Sequence, residues 1–255
     1  MLFFVGLGLY GADDVSVRGA SVIRDADYVY LEEYTSLLMG ASFDMLFERY
    51  QKTIHVLGRE DVEIHPDTLI KQAKTKNVVF LTGGDPMIST THADLRIRAA
   101  QAGVQTGIIH GASISSAVCG LSGLQNYRFG KSCSIPFPYD NWMPRTPIDI
   151  IEQNRMHELH TLVYLDIQPH RYMQICEAVE ILITLYETAD PPLSMPDLYI
   201  GIARAGSDEP NVYAGTLEQI LSHDFGPPLH ILIIPGSLHH IEQEYLVTFG
   251  GLRSL

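Results

Sequence analysis

Two glycine-rich turns, each placed between an apolar run and an amphipathic one, are where chemistry is most legible in this chain. The first, Gly6-Leu7-Gly8-Leu9-Tyr10-Gly11, has the G-x-G-x-x-G spacing, and Glu32 or Glu33 stands at the end of the next apolar run, close to the ~20-residue offset of a dinucleotide fingerprint. Charge speaks against that ligand. Asp13 and Asp14 sit at the start of the following helix, where they would compete for the helix's N-terminal amides and repel a pyrophosphate. A cationic or zwitterionic ligand meets no such conflict, and a tight turn with no ligand is the structural alternative.

The second turn is Thr82-Gly83-Gly84-Asp85-Pro86-Met87. Paired glycines allow close backbone approach and positive φ, and proline fixes the next turn. In an open α/β sheet, ligands bind beyond the carboxyl ends of the strands, which is where this turn falls. Asp85 offers an acceptor for an amino group or a ribose hydroxyl, and Thr90-Thr91-His92 caps the helix that follows. The histidines predict no metal site. His239 and His240 are adjacent and so point apart on a helix, His157 and His160 flank a helix-to-strand junction, and neither pair has a cysteine or carboxylate at ligand spacing. From the residues alone, His230 reads as a hydrogen-bonded, half-buried histidine ahead of the apolar run Ile231–Ile234. Cys119, Cys133 and Cys176 are odd in number with no close pair, which predicts reduced thiols in a cytosolic protein.

The elements that must carry these turns alternate. Strands are predicted at Leu2–Val5, Asp27–Leu31, Ile54–Leu57, Asn77–Leu81 and Val104–Ile109. Helices are predicted at Asp13–Arg24 (N-cap Asp13 or Asp14), Phe43–Arg49, Asp67–Lys74 and Thr91–Ala102, the last stopped by Gly103. That order predicts an α/β domain with a largely parallel sheet over residues 1–112. In residues 113–255, strands are expected at Ser132–Pro136, Thr161–Asp166, Asp197–Ala203, Asn211–Ala214 and Leu229–Ile234, with helices at Ile148–His157, Arg171–Glu187 and Thr216–Ser222. A hairpin through Gly206-Ser207-Asp208 makes this second sheet mixed.

The chain has 255 residues, 46% hydrophobic and 18% charged, with mean hydropathy +0.07. Disorder and low complexity are excluded, and a core of this size needs no disulfide or metal staple. No apolar run reaches the ~18 residues of a membrane span, and Met1–Val5 lacks the basic flank of a signal peptide. With 30 acids against 17 bases and a net charge of −13, a nucleic-acid binder is disfavoured. A small-molecule enzyme, or one acting on a basic protein surface, is compatible.

Beyond the two turns, further motifs run in order through the chain: Glu32-Glu33-Tyr34-Thr35-Ser36, Gly83–His92, His110-Gly111-Ala112-Ser113-Ile114, Phe129–Ser132, Asn141-Trp142, Leu165-Asp166-Ile167, Ala203–Ser207 and Leu229–Gly236. Together with the opening turn they resemble the archaeal-type diphthine synthases, of the tetrapyrrole-methylase-like S-adenosylmethionine methyltransferases. The resemblance covers essentially the whole chain. It implies two α/β domains with the cofactor in the cleft between them, a homodimer, and a cytoplasmic location. It implies cofactor contacts at Leu9, Asp85, Ile88, Ser113, Ile114, Leu165, Ala205 and His230, made largely through backbone groups and apolar walls. The implied reaction methylates the amino group of an aminocarboxypropyl-histidine on translation elongation factor 2, giving diphthine and S-adenosylhomocysteine. No catalytic base is assigned; Asp166 and Glu33 are candidates for a proton acceptor. Two alternatives stand beside this reading. A tetrapyrrole methylase of the same class would need a site lined with Arg and Lys, for which the sequence shows no basic cluster. A nucleotide-binding regulatory module would use the first glycine turn.

Overall fold

Among the described residues of 1–114, five strands run in one direction, and their sequences show why. A parallel sheet is covered on both faces, so its strands read as continuous apolar runs, as Leu2–Gly6 and Val78–Thr82 do. The computed structural model describes residues 1–34, 37–140, 142–168 and 170–253. Thr35, Ser36 and Asn141, which belong to two of the motifs above, lie outside the described residues. The chain divides into two compact units, Met1–Ile114 and Ser115–Leu255.

The first unit runs β1 (Leu2–Gly6), α1 (Val17–Arg24), β2 (Tyr28–Glu32), α2 (Phe43–Tyr50), β3 (Ile54–Leu57), α3 (Arg59–Glu63), α4 (Asp67–Ala73), β4 (Val78–Thr82), α5 (His92–Gln101) and β5 (Thr106–Ile109). The strand order is β3-β2-β4-β1-β5, all parallel. Alternation along each strand feeds two cores. Val5, Val29, Val79 and Leu81 pack with Ile23 of α1 and Leu46 and Tyr50 of α2. Phe4, Tyr30, Val78 and Phe80 pack on the other face with Leu69 and Ile70 of α4 and Leu95 and Ala99 of α5.

The second unit runs α6 (Ile114–Ser122), whose first residue closes the first unit, β6 (Cys133–Ile135), α7 (Thr146–Met156), β7 (Thr161–Leu165), β8 (Ile167–Gln168), β9 (Arg171–Tyr172), α8 (Ile175–Glu187), β10 (Tyr199–Ala203), β11 (Asn211–Gly215), α9 (Leu217–Ser222), β12 (His230–Ile234) and α10 (His240–Phe249). Its sheet, β11-β10-β12-β7-β6, is mixed: β6 and β7 are parallel and the other pairs antiparallel, including the expected β10–β11 hairpin. One core joins Ile148 and Ile151 of α7, Val179 and Leu182 of α8, and Val163, Tyr199 and Leu232 of the sheet.

The structure corrects several expected elements. The N-cap of α1 is Ser16, whose Oγ accepts the Gly19 N–H at 3.1 Å, because Asp14 is used elsewhere. Helix α8 starts at Ile175 rather than Arg171: the Glu177 carboxylate accepts the Gln174 N–H at 2.9 Å and fixes the first turn there, leaving Arg171 in the β8–β9 hairpin with its guanidinium over the Phe137 ring. Helices α3 and α6 go beyond the expected elements: α3 is only five residues long and α6 carries a glycine and three serines; α10 is the helix expected around His239 and His240, and it starts at His240. His239 and His240 do not point apart, because His239 is the extended N-cap of α10 and the ring centroids lie 4.0 Å from each other.

Candidate functional site

In the first unit, β1, β4 and β5 are neighbours and parallel, so the segments leaving their carboxyl ends start side by side. These are the two glycine turns and the His110–Ile114 segment. Backbone hydrogen bonds tie the first two together: Leu7 N–H to Thr82 O at 2.9 Å, Gly84 N–H to Gly8 O at 2.6 Å, and Gly8 N–H to Gly84 O at 3.3 Å. The third is wedged against both. A Cβ on Gly6 would stand 2.5 Å from Gly84 O and 2.6 Å from Gly111 N, and one on Gly111 would collide with the same Gly84 carbonyl. Gly8 and Gly84 have φ of +86° and +73°, conformations that L-residues rarely hold.

Polar side chains finish these loops. Asp14 Oδ2 accepts the N–H groups of Tyr10 and Gly11 at 2.7 and 3.0 Å, while Asp13 pairs with Arg49. Two amides of the turn are thus taken by the protein's own carboxylate, whereas the N-terminal amides of α1, for which Asp13 and Asp14 were expected to compete, are capped by Ser16. Asp85 is buried; Oδ1 accepts the Met87 N–H at 2.9 Å, and Oδ2 lies 2.8 Å from Nδ1 of His110. Beneath the loop, the fully buried His92 donates from Nδ1 to the Pro86 carbonyl at 2.9 Å and meets the Phe80 ring edge-on. Burial holds its pKa below the ordinary histidine value. Thr91 occupies the N-cap position of α5 without capping it, because its hydroxyl donates to Glu63.

Of the anticipated contact residues in this unit, Leu9 and Ile114 are half-buried, Ser113 is buried, and Ile88 is 41% exposed beside the glycine loop. In the second unit, Leu165, Ala205 and His230 gather at one end of the mixed sheet. Leu165 ends β7, Ala205 lies two residues past the end of β10, and His230 begins β12 opposite Ala203. The His230 ring is fully engaged: Nδ1 accepts the Ile175 N–H at 3.3 Å, so Nε2 carries the hydrogen and donates to Gly226 O and Pro227 O at 3.1 and 3.2 Å. Burial lowers its pKa. What His230 can offer a ligand is therefore backbone and ring face. Glu33 is exposed, whereas the Asp166 carboxylate accepts the Phe137 N–H at 2.9 Å and a Gln168 amide hydrogen at 3.2 Å. Two partnerships were not foreseen, the Asp85–His110 bond and the 2.6 Å contact between Ser115 Oγ and Tyr164 Oη. Only residues brought together across the chain could reveal them.

Comparison with known proteins places these loops in a family. The tetrapyrrole (corrin/porphyrin) methylase family matches residues 1–221. The chain is 58% identical over 252 residues to the diphthine synthase of Methanoregula boonei, covering 99% of this chain and 100% of that one. It is 56% identical over 252 residues to that of Methanosphaerula palustris, covering 99% of each. The chain belongs to the diphthine synthase family. A crystal structure of a diphthine synthase superposes with TM-score 0.91 at 45% identity, covering 98% of this chain and 96% of the other. The parallel first sheet and mixed second sheet are thus the fold of the diphthine synthase family, and the protein is a methyltransferase. The G-x-G-x-x-G segment forms a tight turn after β1, braced by the Asp14 carboxylate.

Proposed function

We propose that this protein transfers methyl groups from S-adenosylmethionine to the amino nitrogen of the aminocarboxypropyl-histidine of translation elongation factor 2, producing diphthine and S-adenosylhomocysteine. The observation that carries this reading is full-length identity above one half to diphthine synthases. When bound, the cofactor supplies a sulfonium-activated methyl group. The residues suit such a ligand, which is cationic at sulfur and has no phosphate. The amides of the first turn are already filled by Asp14, and the second turn presents a buried carboxylate next to the apolar Met87 and Ile88.

In this reading Leu9, Asp85, Ile88, Ser113 and Ile114 of the first unit, and Leu165, Ala205 and His230 of the second, contact the cofactor. The backbone contacts between the glycine turns hold their share rigid, so alignment of nucleophile and methyl group is built in before binding. The −13 net charge favours approach to a basic patch on a protein partner. The protein acts in the cytoplasm as a homodimer. No helix among the described residues is long and apolar enough to cross a membrane.

The family name keeps tetrapyrroles as a second substrate class. Those substrates carry many carboxylates and need a basic site, and 17 basic residues against 30 acidic ones speak against it. The test is mass spectrometry of elongation factor 2 bearing the aminocarboxypropyl group after incubation with the protein and S-adenosylmethionine. Gains in steps of one methyl on the modified histidine support the reading. Cofactor binding without transfer overturns the substrate assignment.

A further inference from the structure

His110 follows the last residue of β5 and makes one charged contact among the described residues: its Nδ1 lies 2.8 Å from Asp85 Oδ2. The acid side chain is 4% exposed and the imidazole 73%. Because Asp85 Oδ1 also accepts the Met87 N–H, the carboxylate is fixed through both oxygens. An ionised carboxylate can only accept, so the shared hydrogen sits on Nδ1 and the lone pair of the neutral ring sits on Nε2. Among the described residues Nε2 has no hydrogen-bond partner. The next residue, Gly111, is wedged against Gly6 and Gly84, so the backbone carrying the ring is held as well. A buried carboxylate that fixes the tautomer and direction of an exposed imidazole is an arrangement suited to proton abstraction.

We propose that His110 is the proton acceptor of the methyl transfer and that Asp85 positions it. The proposal rests on the reading that the substrate is an amine. The proton leaves the substrate ammonium for Nε2 of His110. The freed nitrogen lone pair forms the N–C bond as the sulfonium S–C bond breaks, and that bond's electron pair stays on sulfur as the neutral thioether. The imidazolium returns its proton to solvent from its exposed face. Each further transfer repeats the step while the nitrogen retains a hydrogen. Of the two other candidates, Asp166 Oδ2 accepts from both Phe137 and Gln168, and Glu33 makes no comparable oriented pair among the described residues.

The test uses the full chain and the variant His110→Asn, whose amide can still donate to Asp85. Three quantities are measured: methyl transfer to the modified elongation factor, S-adenosylhomocysteine affinity by calorimetry, and two-bond ¹H–¹⁵N spectra of the histidine rings without ligand. We expect kcat to fall about 100-fold or more at neutral pH, with the deficit shrinking as alkaline solvent deprotonates the amine. The affinity should change less than about twofold. The ring signal missing from the variant should carry the Nδ1–H pattern in the unsubstituted protein, and lose it in Asp85→Asn. A wild-type kcat in the variant, an Nε2–H tautomer, or a matching loss of S-adenosylhomocysteine affinity overturns the proposal. If the unsubstituted chain binds S-adenosylhomocysteine but methylates nothing, the amine-substrate reading fails and this step fails with it; unimpaired transfer by His110→Asn overturns the proton role alone.

Discussion

The carboxylate of Asp14 accepts the backbone N–H of Tyr10 at 2.7 Å and that of Gly11 at 3.0 Å, closing the first glycine turn on itself. Asp14→Ala leaves both amides to solvent. Since loss of a cap of this kind costs about 1 kcal/mol, we expect a small drop in melting temperature and a larger, several-fold loss of S-adenosylhomocysteine affinity. NAD should not raise the melting temperature of the unsubstituted protein. Stabilisation by NAD but not by S-adenosylhomocysteine would return the first turn to a dinucleotide role.

Gly6 and Gly111 are the closest backbone approaches among the three loops. A methyl at either position would have to displace the Gly84 carbonyl rather than a flexible side chain, and overpacking against backbone costs about 1–3 kcal/mol or more. Gly6→Ala and Gly111→Ala should therefore unfold at lower denaturant and bind S-adenosylhomocysteine poorly. Gly103→Ala is the contrasting case: its Cβ would meet no atom within 4 Å, and only its positive φ opposes it. That variant should be mildly destabilised with cofactor affinity intact. Equal affinity in all three variants would show that the loop wedge is not what shapes the site.

His92, His160 and His230 are each held below the usual histidine value, with burial the main cause in every case. The unfolded chain takes up protons near pH ~6.5, whereas the folded chain resists them. The unfolded state thus binds more protons below that point, and stability is lost as pH falls. Unfolding free energy measured in urea should be level above pH ~7 and decline from ~6.5 downward. His92→Gln should flatten part of that decline. A profile that rises on acidification contradicts the buried neutral histidines.

Glu242 is fully buried and joins four donors: the N–H groups of Gln125 and His239, Arg128 Nη1 at 2.9 Å, and His160 Nε2 at 3.2 Å. Burial alone would raise its pKa, but those backbone bonds and His160 bring it below the ordinary glutamate value. Removing one partner of a buried ion pair costs about 3–5 kcal/mol. Glu242→Ala should lose stability on that scale by equilibrium unfolding and detach the start of α10. A loss under ~1 kcal/mol would mean that water replaces the carboxylate freely.

His230 offers a separation of packing from ligand contact. Both ring nitrogens serve the protein, so His230→Leu should lower the melting temperature even without ligand, by freeing the Ile175 N–H at the start of α8. An unchanged melting temperature with weakened cofactor binding would instead assign the ring directly to the ligand.

The alternation of apolar runs and amphipathic segments was enough to read a parallel first sheet and a mixed second one, because strands covered on both faces must be apolar throughout and hairpins need a glycine-bearing turn. The positions of the glycine turns followed from the same pattern. Helix α8, by contrast, was read four residues too long. The apolar period does not show that Glu177 reaches back to Gln174, or that Arg171 prefers the face of Phe137. Asp14 was legible as an obstacle to phosphate but not as the clamp of its own turn, which depends on where the chain places Tyr10 and Gly11. Local periodicity and composition, properties of neighbours along the chain, determined the class of fold. Only the tertiary structure brought Asp85 to His110, 25 residues away, and Glu242 to His160, 82 residues away. Such hydrogen bonds require angstrom-scale positions that distant segments acquire only once the sheets have packed.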